Sequence, residues 1–285
     1  MKLKTYVQIF RTVGLGRIFI SFISVFGVLW LLTEPLGLFL ANSLNFGWQG
    51  YFFLIFFSLL VALVLRFPRR TFSRQMSSPN STIEVKIGDI FEEEGHLAIG
   101  FNDVFDTELG ELIAPYSVQG QFLSKIYNND QGRLDDEIRG ELELNHYSGI
   151  EDIEKVKGKK YRYPIGTTIV LGDFEARYFL IAYGYMGNDL KIQTNIDNIW
   201  QSLSSLWKQV RLKGHGKQIT IPIMGSSLAR TNLPRKTLAK LIISSFLISS
   251  KQEFIAEKMT LIISPQDVQY INIYDLESFL EASIF

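Results

Sequence analysis

The sequence predicts an α/β protein in which an N-terminal two-helix transmembrane hairpin precedes a three-layer α/β/α domain with a mixed, largely parallel sheet. Two observations support this prediction. Residues 18–40 and 48–65 are almost entirely apolar, and a polar link of seven residues separates them. After residue 82, short apolar runs of strand length alternate with longer stretches in which apolar residues recur every three or four positions. Such alternation is typical of a parallel sheet covered by helices.

The charge distribution also divides the chain into two parts. The 285 residues include 29 Lys plus Arg and 29 Asp plus Glu, so the formal net charge is zero. Residues 1–80 hold eight basic residues and one acid, a balance of +7, whereas residues 81–285 hold 21 basic and 28 acidic residues, a balance of −7. The chain has no Cys, which excludes disulfides, thiolate metal sites and a Cys nucleophile.

The two apolar runs have the length of membrane-spanning helices. As α-helices, residues 18–40 would extend about 35 Å and residues 48–65 about 27 Å, against roughly 30 Å for the hydrocarbon core of a bilayer. A signal peptide would have a shorter apolar stretch, and a second run would not follow it so soon. A buried helical hairpin in a soluble protein would need a larger host, because these runs are apolar on every face. We therefore expect two spans in contact with a lipid bilayer.

Basic residues indicate the orientation of this hairpin. Four lie before the first span and four follow the second, while the connecting link has none: Lys2, Lys4, Arg11, Arg17, Arg66, Arg69, Arg70 and Arg74. By the positive-inside rule, residues 1–17 and both termini face the cytoplasm, and residues 66–82 form a basic juxtamembrane linker. Glu34 precedes Pro35 near the outer end of the first span, where it is either exposed to water at a kink or placed to line a pore.

Residues 83–285 are predicted to form the α/β domain. Strands are predicted at residues 83–87, 96–101, 168–171, 178–183, 218–223 and 259–263. Helices are predicted at residues 121–127, 136–144, 196–213 and 234–250. Ligands of open α/β sheets bind in the loops beyond the carboxyl ends of the strands, so those loops are the first place to look for a site.

Two of these loops combine residues suited to a polar ligand. The first, GFNDVFDT from Gly100, follows a strand and contains Phe101, Asn102, Asp103 and Asp106. The second, GSSLAR from Gly225, lies between a strand and a helix. A loop of small residues ahead of a helix offers backbone N–H groups to phosphate oxygens, and an Arg there adds a charge-assisted bond.

The order of these motifs resembles a macro domain, the ADP-ribose-binding module. The segments that carry the resemblance are IEVKIGDI from Ile83, LAIGFND from Leu97, YFLIAYG from Tyr178 and ITIPIMGSSLARTNLP from Ile219. The resemblance implies that Asp89 accepts the adenine amino group, that Ile90 lines the adenine slot and that Asn102 lies near the distal ribose. The implied diphosphate site is the loop that begins at Gly225 and contains Ser226, Ser227, Leu228, Ala229 and Arg230.

Two departures from the macro-domain pattern bear on catalysis. Gly100-Phe101-Asn102-Asp103 stands where hydrolytic members usually carry two asparagines, and the glycine triplet that normally follows is missing. These departures favour binding over ADP-ribosyl hydrolysis, so no catalytic residue, cofactor or metal ligand is expected. We expect Asp103 and Asp106, at the distal end of the site, to attract a cationic amino group on the ligand.

A two-span anchor joined to a divergent macro domain, including GFNDVFDT, resembles the membrane-anchored effector of Thoeris anti-phage defence. In that family a TIR-domain partner makes an ADP-ribose-derived messenger, which is histidine-ADP-ribose in systems with a transmembrane macro effector. The resemblance implies that the messenger binds the macro domain and that the chain then assembles as a homo-oligomer. Assembly would disrupt the bacterial inner membrane and cause abortive infection.

Other interpretations remain open from the residues alone. The chain is alternatively a membrane-tethered macro-domain hydrolase or a passive ADP-ribose reader that recruits partners. A serine hydrolase is disfavoured because Ser226 and Ser227 lack a Gly-x-Ser-x-Gly frame, and nucleic-acid binding is disfavoured because the domain is acidic. The basic run KVKGKKYR from Lys155 is expected to be a solvated loop or a contact with anionic lipid.

Overall fold

The computed structural model describes residues 15–39, 47–67, 69–225 and 233–284. The chain forms two compact units, residues 1–70 and 71–285. The boundary falls inside the segment that the sequence analysis assigned to a linker, residues 66–82.

The first unit contains two helices, α1 (Leu15–Phe39) and α2 (Trp48–Leu65). Arg66, just after α2, donates from Nε to the hydroxyl of Ser21 in the first half of α1 at 2.7 Å. At the other end, the ring of Trp30 in α1 lies 6.1 Å from that of Tyr51 in the first turns of α2. Because the end of α2 meets the beginning of α1, the helices are antiparallel.

The surface of this helix pair is apolar. The side chains buried between the helices include small ones, Ser58 and Ala62, whereas Leu31 and Phe53 are each 68% exposed. Within the described residues, Gly16–Pro35 and Trp48–Leu65 are long and apolar enough to cross a membrane. Glu34 is exposed on α1. Residues 1–14 and most of the predicted link between the spans lie outside the described residues.

The second unit alternates strands and helices along the chain. Its strands are β1 (Thr71–Gln75), β2 (Thr82–Ile87), β3 (His96–Asn102), β4 (Ile150–Glu151), β5 (Tyr161–Arg162), β6 (Thr168–Gly172), β7 (Arg177–Met186), β8 (Ile192–Gln193), β9 (Ile219–Pro222) and β10 (Lys258–Ile263). Its helices are α3 (Val118–Ile126), α4 (Gln131–Leu144), α5 (Ile196–Lys213), α6 (Arg235–Gln252) and α7 (Ile273–Ser283), with short 3-10 turns at Ile90–Glu92 and Val268–Tyr270.

Eight of these strands form one mixed sheet in the order β1-β2-β10-β9-β3-β7-β6, with β8 paired to β7. The five neighbours β2, β10, β9, β3 and β7 are parallel, whereas β1, β6 and β8 pair antiparallel at the edges. The remaining two strands, β4 and β5, form a separate antiparallel hairpin. The predicted mixed, largely parallel sheet is confirmed.

Both faces of the sheet are covered. Ile99 and Phe101 in β3 pack against Phe122 of α3 and Leu134 of α4 in one core cluster. The alternate residue Ala98 and its β7 neighbour Phe179 point to the opposite face and are also fully buried. On that face α5 bonds to the sheet through Ser202, whose hydroxyl lies 3.1 Å from the carbonyl of Ala182. These contacts give the predicted three layers.

The structure differs from the sequence prediction in several elements. β1 lies within the predicted linker and pairs with β2. Four of its five residues are polar, but its one apolar side chain, Phe72, is buried. Helices α3 and α4 begin earlier than their apolar periodicity indicated, because Ser117 and Asp130 cap their first turns. The β4–β5 hairpin, β8 and α7 were not predicted. Helix α5 has the predicted bounds.

Candidate functional site

A cavity of about 720 Å³ lies across the carboxyl ends of the five parallel strands. The lining residues at or near those ends are Gly88 and Asp89 after β2, Ser264 and Pro265 after β10, Ile223 and Gly225 after β9, Gly100 in β3, and Tyr183 and Met186 in β7. Residues 110–114 and 190–192 complete the wall beside β3 and β7. Neighbouring strands are roughly 4.8 Å apart, so five strands span about 19 Å. This shape suits an elongated ligand.

Asp89 and Ile90 line the end of the cavity next to β2. The Asp89 carboxylate caps the following 3-10 turn by accepting from the backbone N–H of Phe91 at 3.0 Å. Its other oxygen lies 2.5 Å from Lys125 Nζ, and this ammonium is 4.9 Å from the Phe91 ring centroid. Ile90 is buried beneath the turn. The carboxylate is thus fixed in position while its side chain stays 35% exposed.

Arg235, Asp267 and Tyr270 also line the cavity, after β9 and β10, and the sequence analysis did not select them. The Arg235 guanidinium lies 4.0 Å from the Tyr270 ring centroid, and its Nε is 2.8 Å from Asp267 Oδ1. Burial raises the pKa of Asp267, and the charge of Arg235 opposes this rise. The polar turn Ser264–Asp267 at the carboxyl end of a predicted strand was the sequence signal that could have identified this group.

Tyr183 and Gly100 form the floor of the cavity next to β3 and β7. A Cβ atom added at Gly100 would lie 2.8 Å from Tyr183 Cε1, so only glycine leaves room for this ring. Burial raises the pKa of Tyr183 to about 12, and its hydroxyl therefore stays protonated at neutral pH.

Two charged side chains stand at the rim of the same end, Glu111 and Lys191. Glu111 pairs with Lys157 at 2.8 Å and is 79% exposed. The hydrogen bond from Lys157 lowers the pKa of the Glu111 carboxyl. The loops that bear Glu111 and Lys191 meet through one apolar cluster, which includes Ile113 and Ile192. Neither charged residue was predicted from the sequence, because neither directly follows a predicted strand.

The structure does not place Phe101, Asn102, Asp103 and Asp106 among the lining residues of the cavity. All four are buried in the protein. The side-chain oxygen of Asn102 accepts from the backbone N–H of Asp106 at 3.0 Å, and its amide nitrogen donates to the Asp106 carboxylate at 3.2 Å. Phe101 packs edge-on against Phe122 of α3. These residues hold the loop after β3 in its conformation.

Asp103 forms a hydrogen bond with a residue of the cavity wall, Met186. One carboxylate oxygen accepts from the backbone N–H of Met186 at 2.8 Å, and the other lies 2.6 Å from Arg162 Nη1. Arg162 also donates to the Met186 carbonyl at 3.0 Å. Burial raises the pKa of Asp103, and its hydrogen bonds with Met186 and Arg162 oppose this rise. Since Met186 lines the cavity, Asp103 and Arg162 together fix the position of a wall residue.

Gly225 lies in the cavity wall with φ +76°, a conformation that glycine adopts without strain. The predicted diphosphate contacts Ser226, Ser227, Leu228, Ala229 and Arg230 lie outside the described residues, so their roles stay predictions. Among the residues that the structure does describe, no group of three or more His, Asp or Glu side chains is placed to hold a metal ion.

Comparison with known proteins gives three results. The family model described as "Thoeris protein ThsA, Macro domain" matches residues 83–264. Two solved structures of the Oceanobacillus iheyensis macrodomain have a TM-score of 0.50 to this chain: a point variant with 14% identity, covering 75% of this chain and 100% of its own, and a form with MES bound with 15% identity, covering 74% and 99%. At this identity they show the fold alone. The search of curated proteins found no match.

The family match extends over the parallel strands β2, β3, β7, β9 and β10, whose carboxyl ends form the cavity. It covers more than half of the chain, and the solved macrodomains share the fold independently of it. This protein therefore belongs to the Thoeris ThsA macro-domain family.

Proposed function

We propose that this chain is a membrane effector of bacterial anti-phage defence that binds an ADP-ribose-derived signal in its macro domain. The main support for this proposal is the cavity across the ends of five strands. The fixed carboxylate of Asp89 lies at one end of it, and the charged side chains of Glu111 and Lys191 lie at the other. Family membership favours a nucleotide of this class. By resemblance to the transmembrane effectors, the signal is histidine-ADP-ribose made by a TIR-domain partner.

The cavity offers a suitable group for each part of such a ligand. Asp89 would accept the adenine amino group, and Ile90 with Tyr270 would supply apolar contact area to the base. Gly225 and the amides that follow it, with Arg230, would bind the diphosphate. The amino-acid part would then reach the rim beside β3 and β7, where Glu111 and Lys191 bear opposite charges.

The environment of Asn102 supports binding rather than hydrolysis. Its side chain is fully buried, and both its oxygen and its nitrogen form hydrogen bonds with Asp106. It does not line the cavity. A hydrolase would need such a group within reach of the substrate. The macro-domain family includes both binders and hydrolases, and a turnover assay on ADP-ribosylated protein would decide between them. Release of ADP-ribose that Asn102→Ala abolishes would overturn the binding-only proposal.

Helices α1 and α2 support the membrane part of the proposal. Their outward side chains are apolar, as lipid contact requires, and both have sufficient length to span a bilayer. We propose that they cross the inner membrane with both termini in the cytoplasm, and that messenger binding drives self-association and membrane disruption. A ligand promotes assembly only if it binds the assembled state more tightly than the free one.

Binding is tested by calorimetry on the full chain in detergent, with ADP-ribose and histidine-ADP-ribose as separate ligands. Asp89→Asn keeps a capping side chain but removes the charge, and we expect it to weaken binding about tenfold. Asp136→Asn is the matched control, because that carboxylate is exposed on α4, pairs with Arg139 and does not line the cavity. Unchanged affinity of Asp89→Asn for both ligands would rule out this binding mode.

Membrane action is tested by dye release from liposomes that contain the full chain. We expect release when histidine-ADP-ribose is added and none without ligand. A passive reader would bind the ligand with the same affinity but release no dye, so that combination of results would overturn the effector proposal while leaving ligand binding intact.

A further inference from the structure

We propose that the β4–β5 hairpin, residues 150–162, is the surface through which two copies of this chain associate, and that the ligand cavity controls it. This inference rests on the proposed function, which requires self-association on ligand binding. It goes further by assigning that association to one surface and by identifying the bonds that connect this surface to the cavity.

The hairpin exposes aliphatic side chains that a monomer would normally bury. Ile150 is 78% exposed, Ile153 is 83% exposed and Val156 is 76% exposed. Tyr161 of β5, which pairs with Glu151, is 53% exposed. The hairpin thus exposes three large aliphatic side chains within seven residues, Ile150 to Val156. Exposed apolar surface of this kind marks sites of interaction.

The exposure does not result from a loose loop, because buried polar contacts fix the hairpin to the domain. Lys155 is fully buried, with Nζ 3.8 Å from the buried Asp106 carboxylate. Arg162 pairs with Asp152 at 2.7 Å, within the hairpin, and with Asp103 at 2.6 Å.

A second set of bonds holds the tip of the hairpin. The side-chain oxygen of Asn188 accepts from the Val156 N–H at 3.0 Å, and its amide nitrogen donates to the Glu154 carbonyl at 2.9 Å. The hairpin is therefore held at its base, middle and tip. Its apolar side chains point outward from a fixed backbone.

Two connections link the hairpin to the cavity. Arg162 at the hairpin base bonds the carbonyl of Met186, a residue of the cavity wall. At the rim, Lys157 of the hairpin holds Glu111 at 2.8 Å. A cationic group on the ligand would compete with Lys157 for this carboxylate. Ligand binding would thus affect the hairpin in two ways. It would change the ion pair between Glu111 and Lys157, and it would act on Arg162 through Met186 of the cavity wall.

The charges on the hairpin favour a second copy of the chain as its partner. Its exposed charged residues are Glu151, Glu154, Lys157 and Lys160, two of each sign around the apolar side chains. A two-fold interface places the same patch on both sides, so it must be self-complementary, and a patch with two charges of each sign allows opposite charges to pair across it. An anionic bilayer would repel the two glutamates and attract the two lysines, so these exposed charges give no net attraction to it.

Cysteine cross-linking tests the contact, since the chain has no Cys of its own. The full chain with Ile153→Cys is reconstituted in liposomes and oxidised with histidine-ADP-ribose, with ADP-ribose and without ligand. We expect a disulfide-linked dimer that forms at least severalfold faster with histidine-ADP-ribose. Leu212→Cys is the control, because Leu212 is 71% exposed but lies on α5 outside the hairpin.

Charge reversal tests self-complementarity. A basic variant, Glu151→Lys with Glu154→Lys, and an acidic variant, Lys157→Glu with Lys160→Glu, should each lose ligand-dependent association, whereas a mixture of the two should regain it. Association is measured by light scattering of the full chain in detergent, and ligand binding by each variant is measured separately. Recovery in the mixture supports the proposal, because a fold defect would not be rescued by a partner of opposite charge.

The remaining outcomes overturn the proposal in distinguishable ways. If the wild-type chain associates with ligand but Ile153→Cys does not cross-link, the hairpin is not the interface, although the proposed function stands. If Ile153→Cys does not cross-link and is protected from a water-soluble thiol reagent in liposomes alone, the hairpin contacts lipid. If the wild-type chain does not associate with either ligand, the proposed function itself fails and this inference fails with it.

Discussion

At the scale of single residues, burial determines which carboxylates are available to a ligand. Asp103 and Asp106 are buried and bonded to Arg162, Met186 and the backbone of the hairpin, whereas Glu111 stands at the cavity rim. A carboxylate with its bonds already satisfied gains little from a ligand, and to release one would leave a buried cation unpaired. In the proposed binding mode, a cationic amino group on the ligand would therefore meet Glu111 rather than Asp103 or Asp106.

We predict that Glu111→Gln reduces the preference of the chain for histidine-ADP-ribose over ADP-ribose by about two- to fivefold, the range of an exposed ion pair. Affinity for ADP-ribose itself should stay constant, because Glu111 would meet only the amino-acid part. Calorimetry with the two ligands measures the ratio. Glu175→Gln is the matched control, since Glu175 is 81% exposed and pairs with Lys217 at 2.9 Å but does not line the cavity. An unchanged ratio in Glu111→Gln would exclude the role of Glu111.

The sequence predicted some cavity residues and not others for a physical reason. Asp89, Ile90 and Gly225 line the cavity, and each follows a parallel strand at its carboxyl end. Asn102 and Asp103 also lie at the carboxyl end of a parallel strand, but β3 changes register against β7 between Phe101 and Asn102. This irregularity accompanies the turn of their side chains into the protein. Local sequence identifies the end of a strand, whereas the direction of each side chain depends on its pairing with a distant strand.

At the scale of elements, the β4–β5 hairpin shows that one basic run can contain both solvated and buried side chains: Lys157 and Lys160 are exposed, whereas Lys155 is buried. The basic run from Lys155 to Arg162 was predicted to be a solvated loop or a contact with lipid. The structure buries Lys155 completely and bonds Lys159 and Arg162 to carboxylates outside the run. Gly158 has φ +74°, and a Cβ atom there would lie 2.5 Å from an Asp106 oxygen. Asp103, Asp106 and Asp135, which pair with these cations, are distant in sequence, so the run alone gave no sign of them.

We predict that Lys155→Ala destabilises the macro unit by about 3 kcal/mol or more, because it leaves the buried Asp106 carboxylate without its cation. Lys160→Ala should change the stability by less than about 0.5 kcal/mol, since Lys160 is an exposed cation of the same hairpin. Urea unfolding of the full chain in detergent, followed by tryptophan fluorescence, measures both. Asp106→Asn added to Lys155→Ala should recover part of the loss. Equal stabilities of the two single variants would refute a structural role for the buried pair.

The other elements were predicted accurately where local sequence determines them, and were not predicted where they depend on a partner strand. The bounds of α5 agree with its apolar periodicity, because that helix is amphipathic over its full length and is capped by Asn195. The strands of the parallel core differ from their predicted bounds by at most three residues at either end, since β2 alternates apolar and polar residues and the other four are mainly apolar. β1 and β8 are short edge strands with few apolar residues, and they exist because the sheet offers them backbone partners.

At the scale of the whole molecule, the macro unit begins earlier than either the sequence prediction or the family match. Both start at residue 83, whereas the compact unit starts at residue 71. Phe72 of β1 and Met76 after it are 6% and 3% exposed, so both contribute to the core. Arg74 of β1 pairs with Glu281 and, at 3.2 Å, with Glu277, both of α7. The strand that follows α1 and α2 in the chain is therefore part of the macro unit.

We predict that a fragment of residues 70–285 is more stable than a fragment of residues 83–285. The shorter fragment loses the burial of Phe72 and Met76, worth about 1.5–3 kcal/mol each, and exposes the edge of β2. A loss of this size lowers the melting temperature of a unit of this length by roughly 10 °C. Thermal unfolding measures it, and light scattering should show aggregation of the shorter fragment alone. Equal melting temperatures would mean that β1 pairs with β2 without stabilising it.

The longer fragment should bind ADP-ribose with the affinity of the full chain but release no dye from liposomes, because the cavity and the apolar helices belong to different units.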